Sequence, residues 1–225
     1  MTPIRTLILS GGVAHDYATT SPMLVDILSE AGIVAEMTDK LADLARPDLH
    51  EFDVLTLNCV RWPTEWATGP DGPYQLGEAE RRTVLDFLAS GNGLVALHAA
   101  TINFDDWPAY REIVGGYWEW NVTGHGPYQP GWAMHIVDRE HPITRDIEDF
   151  SIHDELYHTL TITRHVHTLM TTLWDGRLQP MAWTTTYGPA RVHYNALGHG
   201  PDTFRCEPFR RMLQQGVRWA AGKKR

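Results

Sequence analysis

Residues 93–98 read Gly-Leu-Val-Ala-Leu-His. Four apolar side chains in a row have no solvated face. A run that short, stopped by a polar residue, is the pattern of a strand covered on both sides in a parallel sheet. Working outward, Glu78–Ser90 carries Val84, Leu85, Phe87 and Leu88 and stops at Gly91, which predicts a helix. Asp53–Asn58, Ile33–Met37 and Thr6–Leu9 predict three earlier strands. Between Thr6–Leu9 and Ile33–Met37 lies SPMLVDILSEAG, with Leu24, Ile27, Leu28 and Ala31 on one helical face. Ser21 is the expected cap of that helix, Pro22 its first residue and Gly32 its stop. Strands alternating with helices imply right-handed crossovers and a doubly wound α/β sheet.

Beyond about residue 115 the pattern changes. Trp132–Val137, Thr168–Leu173, Met181–Thr184 and Arg191–Leu197 read as strands with few helices between them. A last helix is expected from Pro208 to Ala221, with Phe209, Met212, Leu213, Val217 and Ala220 inward. Val60–Gly77, holding Trp62, Trp66 and Tyr74, and Tyr117–Gly131, holding Trp118, Trp120, His125 and Tyr128, are expected as long aromatic loops. The 225 residues suit a single domain, 1–225, able to bury a substantial core.

Composition narrows the function. Nineteen Lys and Arg against 28 Asp and Glu give a net charge of −9, which disfavours nucleic acid and anionic membranes as partners. Mean hydropathy is −0.31 and no apolar run is of membrane-spanning length. The opening MTPIRTLILSGG reads as a first strand rather than a signal peptide. With two cysteines, Cys59 and Cys206, and no framework spacing, a reduced cytoplasmic protein is the expectation. What stands out is 12 His and 9 Trp.

In an open parallel sheet ligands bind beyond the carboxyl ends of the strands. Strand ends deliver His15 and Asp16 after Ser10-Gly11-Gly12, His98 after GLVAL, and His199 after RVHYNALG. Each histidine taken alone admits a plain structural reading, but their convergence on one rim favours a site. Residues 151–158, Ser-Ile-His-Asp-Glu-Leu-Tyr-His, add two carboxylates that could act as acid, base or metal ligand. Asp154 and Glu155 are adjacent, so one of them faces any given site. The alternative there is a solvated acidic turn. His165 and His167 read as surface or structural histidines. His50-Glu51 opens like a zincin motif, yet the second His position is Val54, and no GxGxxG, P-loop, GxSxG or CxxC is present.

The segments LILSGGVAHDY, GNGLVALHAAT, IVGGYWEWNVTGH, DREHPIT, DELYH, PMAWTTTYGPARVHYNALGHG and RWAAG, in this order, resemble the ThuA-like (trehalose utilisation) family from about Leu7 to Gly222. That family is similar in fold to class I glutamine amidotransferases, which implies a flavodoxin-like three-layer sandwich with a mainly parallel sheet and an extended C-terminal half. Amidotransferases carry a nucleophilic cysteine after the strand matching GLVALH; here His98 stands there, which argues against glutaminase chemistry. The family's Gly-Lys-Gly-Arg before the late strand reads Gly188-Pro189-Ala190-Arg191 here.

The resemblance carries over His15, His98, His125, Asp154, Glu155, Tyr157 and His199 and implies catabolism of a disaccharide or keto-sugar. The expected catalytic residues are His15 or His98 as base, His199 as partner, and Glu155 as acid or metal ligand. Asp16, Trp118, Trp120, His125, Asp154 and Tyr157 are expected around the saccharide, and a divalent, zinc-like metal is compatible with the histidines. Self-association is compatible as well. Two rival readings are a non-catalytic sugar-binding or regulatory module and a metal-dependent hydrolase of another small substrate.

Overall fold

The computed structural model describes residues 2–62, 75–163 and 165–222. Trp66 and Tyr74 lie outside the described residues. The first half of the chain alternates as β1 (Arg5–Gly12), α1 (Tyr17–Glu30), β2 (Val34–Thr38), β3 (Val54–Val60), α2 (Glu78–Ala89), β4 (Gly93–Leu97) and α3 (Pro108–Val114). Then follow β5 (Gly116–Tyr117), β6 (Gly124–Ile136), β7 (Phe150–His158), β8 (Thr161–Ile162), β9 (His167–Trp174), β10 (Arg177–Tyr187) and β11 (Ala190–Asn195). Two helices, α4 (Pro201–Arg205) and α5 (Glu207–Ala220), close the described chain.

Among the described residues nine strands form one sheet in the order β2-β1-β3-β4-β11-β10-β9-β6-β7. The first five run parallel, and the last four are added antiparallel. The parallel part therefore has the flavodoxin-like order, with β11 as its fifth strand. β3 and β4 are buried throughout, as strands covered on both faces must be.

Strand alternation assigns the layers. Asn58 donates to the Ser21 hydroxyl of α1 (2.9 Å), and a Cβ on Gly93 would strike Ala220 of α5, so these residues face α1 and α5. Leu55, Leu57 and Leu94 point the other way and share an apolar pocket with Val84 of α2 and Tyr110 and Ile113 of α3. Helices on both faces of the sheet make three layers. Trp183 is fully buried and its indole N–H donates to the Val114 carbonyl (2.9 Å), so this large ring leaves no polar atom unpaired. No helix among the described residues is long and apolar enough to cross a membrane.

Three expectations change. α1 begins at Tyr17, not at Ser21, because Asp16 caps it: its carboxylate accepts from the Thr19 N–H (3.1 Å). Ser21 instead sits inside the helix, its hydroxyl paired with Ser10 (2.6 Å), and Pro22 stands within the helix, offering no N–H to the carbonyl four residues back. The C-terminal stop is as expected. Gly32, at φ +71°, and Ile33 donate to the Ser29 and Leu28 carbonyls, which is a Schellman ending.

The second change concerns Tyr117–Gly131, which is mostly strand. Gly124–Ile136 pairs with β7 through register shifts at His125/Tyr128 and Gln129/Trp132, so its glycines and prolines sit in an irregular ribbon rather than a loop. The third is the acidic stretch at 151–158, which is β7 and not a turn. β6 pairs with β9 only at His135 and Ile136, so the opposite end of the β6–β7 ribbon is free to cross the carboxyl edge of the sheet.

Candidate active site

Four side chains from four segments meet at that edge. β4 ends at Leu97, and His98 turns sharply with φ +44°, a left-handed conformation uncommon outside glycine. The turn is held from behind: the Tyr194 hydroxyl donates to the His98 carbonyl (2.8 Å) and the Tyr110 hydroxyl to the Ala100 carbonyl (2.7 Å). Strained backbone so well braced is characteristic of functional positions. His15 comes from the loop after β1, and His199 from the loop after β11, which lies beside β4 in the sheet. Glu155 arrives on β7.

The distances are short. His98 Nε2 lies 3.3 Å from His199 Nδ1 and 3.4 Å from Glu155 Oε2, and His199 Nδ1 is 3.1 Å from the same oxygen. With His15 included, each residue offers one ligand atom and all lie within 4.8 Å of one another. His98 Nδ1 contacts the Ala196 carbonyl (2.7 Å) and His15 Nδ1 the Val13 carbonyl (3.2 Å). Carbonyl oxygens can only accept, so Nδ1 of each ring carries a hydrogen; a neutral ring then presents a lone pair at Nε2, and a protonated His98 would instead donate from Nε2 to Glu155. His15 Nε2 is buried and has no hydrogen-bond partner among the described residues.

The His15 lone pair, His98 Nε2, His199 Nδ1 and the Glu155 carboxylate converge on one point, an arrangement that a hydrogen on His199 Nδ1 satisfies and that has the donor set of a metal site. The electrostatics agree. Burial, then the neighbouring His98 and His199, lower the His15 pKa to about 3, so this ring is neutral at physiological pH. Burial alone would raise the Glu155 carboxyl, but the hydrogen bonds and positive charge that His199 and His98 can supply outweigh it and hold the group well below the usual carboxylate range. Glu155 is then an acceptor or ligand at neutral pH, not a stored proton.

Asp154 is fully buried on the opposite face of β7. Its carboxylate accepts from the backbone N–H groups of Gly198 (2.8 Å), His199 (3.0 Å) and Glu155 (2.8 Å), while burial raises its pKa. It fixes the loop that carries His199 and does not face the histidines. Asp16 is exposed, caps α1, and does not join the cluster. His125 is at the mouth, half exposed, with Nδ1 2.8 Å from Glu155 Oε1.

Aromatic rings wall the site. Tyr157 stacks on His98 with centroids 4.1 Å apart, and Trp118 meets the edge of Tyr157 at 5.0 Å. Trp120, 43% exposed, continues the wall from Trp118 (6.2 Å). Trp62, from the first aromatic stretch, packs against Trp120 (4.8 Å), and two further rings were not expected as site residues: Tyr128 against His199 (4.9 Å) and Tyr17 against His15 (5.4 Å). Tyr17 follows His15-Asp16 directly, and Tyr128 stands opposite Glu155 in the β6–β7 register, so both had a signal in their neighbours. His165 and His167 are elsewhere; His167 pairs with Asp138 (2.7 Å) on the surface. Neither cysteine resembles a nucleophile, because burial pushes the Cys59 thiol up to about 11 and raises that of Cys206.

Comparison with known proteins agrees with this architecture. A ThuA-like protein of Parabacteroides merdae superposes with a TM-score of 0.81 at 22% identity, covering 99% of this chain and 91% of its own. A cytoplasmic protein of Salmonella typhimurium gives 0.69 at 14% identity, covering 97% and 99%. The β-galactosidase of Rahnella sp. R3 gives 0.63 at 12% identity, but this chain spans only 31% of that enzyme. At such identities these likenesses show the fold. No functionally curated protein matches the chain. The family model described as trehalose utilisation matches residues 5–220, and the chain therefore belongs to the ThuA family, with its association with sugar metabolism.

Proposed function

We propose that this protein is an enzyme of saccharide catabolism that acts on a keto-sugar at the His15–His98–Glu155–His199 centre, with a divalent cation of the zinc class held there. The observation that carries the reading is the convergence of four donor atoms within 4.8 Å, one of them the buried, unpartnered Nε2 of His15. Three imidazoles and one carboxylate suit zinc, and the Nδ1–carbonyl hydrogen bonds of His15 and His98 are the usual way a protein orients such ligands. A bound divalent ion supplies Lewis acidity toward a carbonyl or hydroxyl oxygen.

The chain's own residues do the rest. A ketone acidifies the neighbouring C–H, and His125 at the mouth holds its Nδ1 hydrogen toward Glu155 Oε1 (2.8 Å) and the Gly126 carbonyl (3.0 Å), which leaves Nε2 as the nitrogen that would take up a proton. Trp118 and Trp120 would offer ring surface to the apolar side of a sugar, while the buried Tyr157 backs His98 from behind. A small saccharide is the proposed partner and the cytoplasm the proposed location. Cysteine-dependent glutaminase chemistry is not proposed, since the turn after β4 carries His98.

The test joins metal content to turnover. Elemental analysis of the purified protein should find about one divalent metal per chain. Chelation and the Glu155→Gln variant should each remove it and depress turnover of keto-glycosides by at least about a hundredfold. Full activity in metal-free protein would leave the metal-independent reading, a His199–Glu155 acid–base pair at 3.1 Å. Saccharide binding in calorimetry without any product would replace the enzyme reading with that of a sugar-binding module.

A further inference from the structure

A second region of the molecule is basic although the chain as a whole carries −9. Arg145 and Asp146, Arg191 at the start of β11, and Arg211, Arg218 and Trp219 on α5 line an open groove of about 560 Å³. The groove lies away from the histidine centre. Arg191 stands near the first residue of β11 while His199 follows the last, and a strand of 6 residues separates its ends by roughly 20 Å.

Four guanidinium groups against Asp146 in the lining and Glu207 beside it leave the groove with a net positive charge. Three of the four also bond to backbone carbonyls: Arg191 to Trp219 (3.2 Å), Arg211 to Asp146 (2.8 Å) and Arg218 to Ala31 (2.6 Å). For Arg191 and Arg211 these carbonyls satisfy N–H groups without cancelling charge. Arg211 also has Glu207 at 3.9 Å, one helical turn back, which is a weak, exposed pair. The Arg145 side chain makes no hydrogen bond or ion pair among the described residues. A structural role explains part of this arrangement, because Arg218, in the last turn of α5, complements the negative end of a helix. It does not explain Arg145, whose side chain makes no such contact among the described residues.

We propose that this groove is a binding site for a small phosphate-bearing molecule. Each guanidinium has five donors in a planar fork, so those spent on carbonyls leave others to meet phosphate oxygens in pairs. A phosphate ester brings about −1.5 to −2 charges, on the scale needed to neutralise a groove with a net surplus of guanidiniums. The volume is on the scale of a small metabolite, and the acidic remainder of the surface repels extended polyanions.

The experiment is calorimetric titration of the full-length protein with inorganic phosphate, and separately with glycerol phosphate. Arg145→Gln/Arg211→Gln is the test variant and His98→Ala the control for the other site. Wild type and His98→Ala should bind with the same affinity, weakened by added salt, and the double variant at least tenfold more weakly with an unchanged melting temperature. Tighter binding of glycerol phosphate than of inorganic phosphate would identify an organic ester as the ligand. The proposal is overturned by absence of binding to wild type at millimolar phosphate, by equal binding to the double variant, or by loss of binding in His98→Ala alone. It is also overturned if sedimentation shows a wild-type dimer that the double variant abolishes, since the groove would then be covered by a second copy. None of these outcomes bears on the metal content of the histidine centre.

Discussion

Asp154 and Glu155 are chemically similar neighbours with opposite tasks. Glu155 points its carboxylate at His98 and His199, whereas Asp154 turns inward and gathers three backbone N–H groups. Adjacent strand residues must diverge in this way, so the division was legible in the sequence. Which residue took which task was not, because the N–H groups that claim Asp154 belong to residues 44 and 45 positions away. Asp154 is thus a positioning residue for His199. Asp154→Asn keeps the shape but turns a donor toward N–H groups that need an acceptor. A cost of about 1–3 kcal/mol is expected in urea denaturation. The folded variant should also hold zinc about 10–100-fold more weakly in competition with a chelator. A stability loss with unaltered zinc affinity would reduce Asp154 to a purely structural group.

At the scale of elements, α1 shows how a local signal is displaced by a tertiary one. Ser21-Pro22 looks like a helix start, but the Ser21 hydroxyl is drawn into the interior by Ser10 and Asn58, and the helix extends back to the next capping side chain, Asp16. That assignment gives Asp16 a structural task beside the site. Asp16→Ala should cost about 1 kcal/mol through the lost cap, seen as a lower urea midpoint. KM for a keto-glycoside should stay unchanged; a large KM increase with unchanged stability would return Asp16 to the substrate. The β6–β7 ribbon, apart from the stretch after Trp132, was illegible for a related reason. β7 alternates correctly, with Ile152, Asp154 and Leu156 buried, but the middle member of that inner row is a carboxylate, which hides the period. β6 carries Gly126, Pro127, Pro130 and Gly131, residues that signal a loop unless a bulged ribbon accommodates them. By contrast the β9–β10 hairpin had a plain signal in Asp175-Gly176, both at positive φ (+47° and +71°), as a type I′ turn requires.

At the scale of the whole molecule, the strand order brings the carboxyl ends of β4 and β11 side by side with the end of β1 close by, and this is why histidines so far apart in sequence share one centre. The same order buries another histidine whose effect is global. His193 on β11 faces α5, where Gly216 passes so close that a Cβ there would stand 2.7 Å from the ring. Its Nδ1 donates to the Trp183 carbonyl (3.0 Å), and its Nε2 has no partner among the described residues. Burial lowers its pKa from 6.5 to about 4. Below pH 6.5 the unfolded chain therefore protonates this residue while the folded one does not, so the unfolded state binds more protons and stability rises with pH. The contribution is complete above pH 6.5 and is lost as the pH falls toward 4, on the order of 3 kcal/mol in all. Other groups of the protein also take up protons on acidification, so the decisive quantity is a difference between two proteins. His193→Asn, which keeps a donor for Trp183 and cannot titrate, should be less stable than wild type at pH 7 yet lose distinctly less unfolding free energy between pH 7 and 4.5. Parallel losses in the two proteins, measured by urea denaturation, would mean that the acid sensitivity of this fold comes from elsewhere than the buried ring beneath α5.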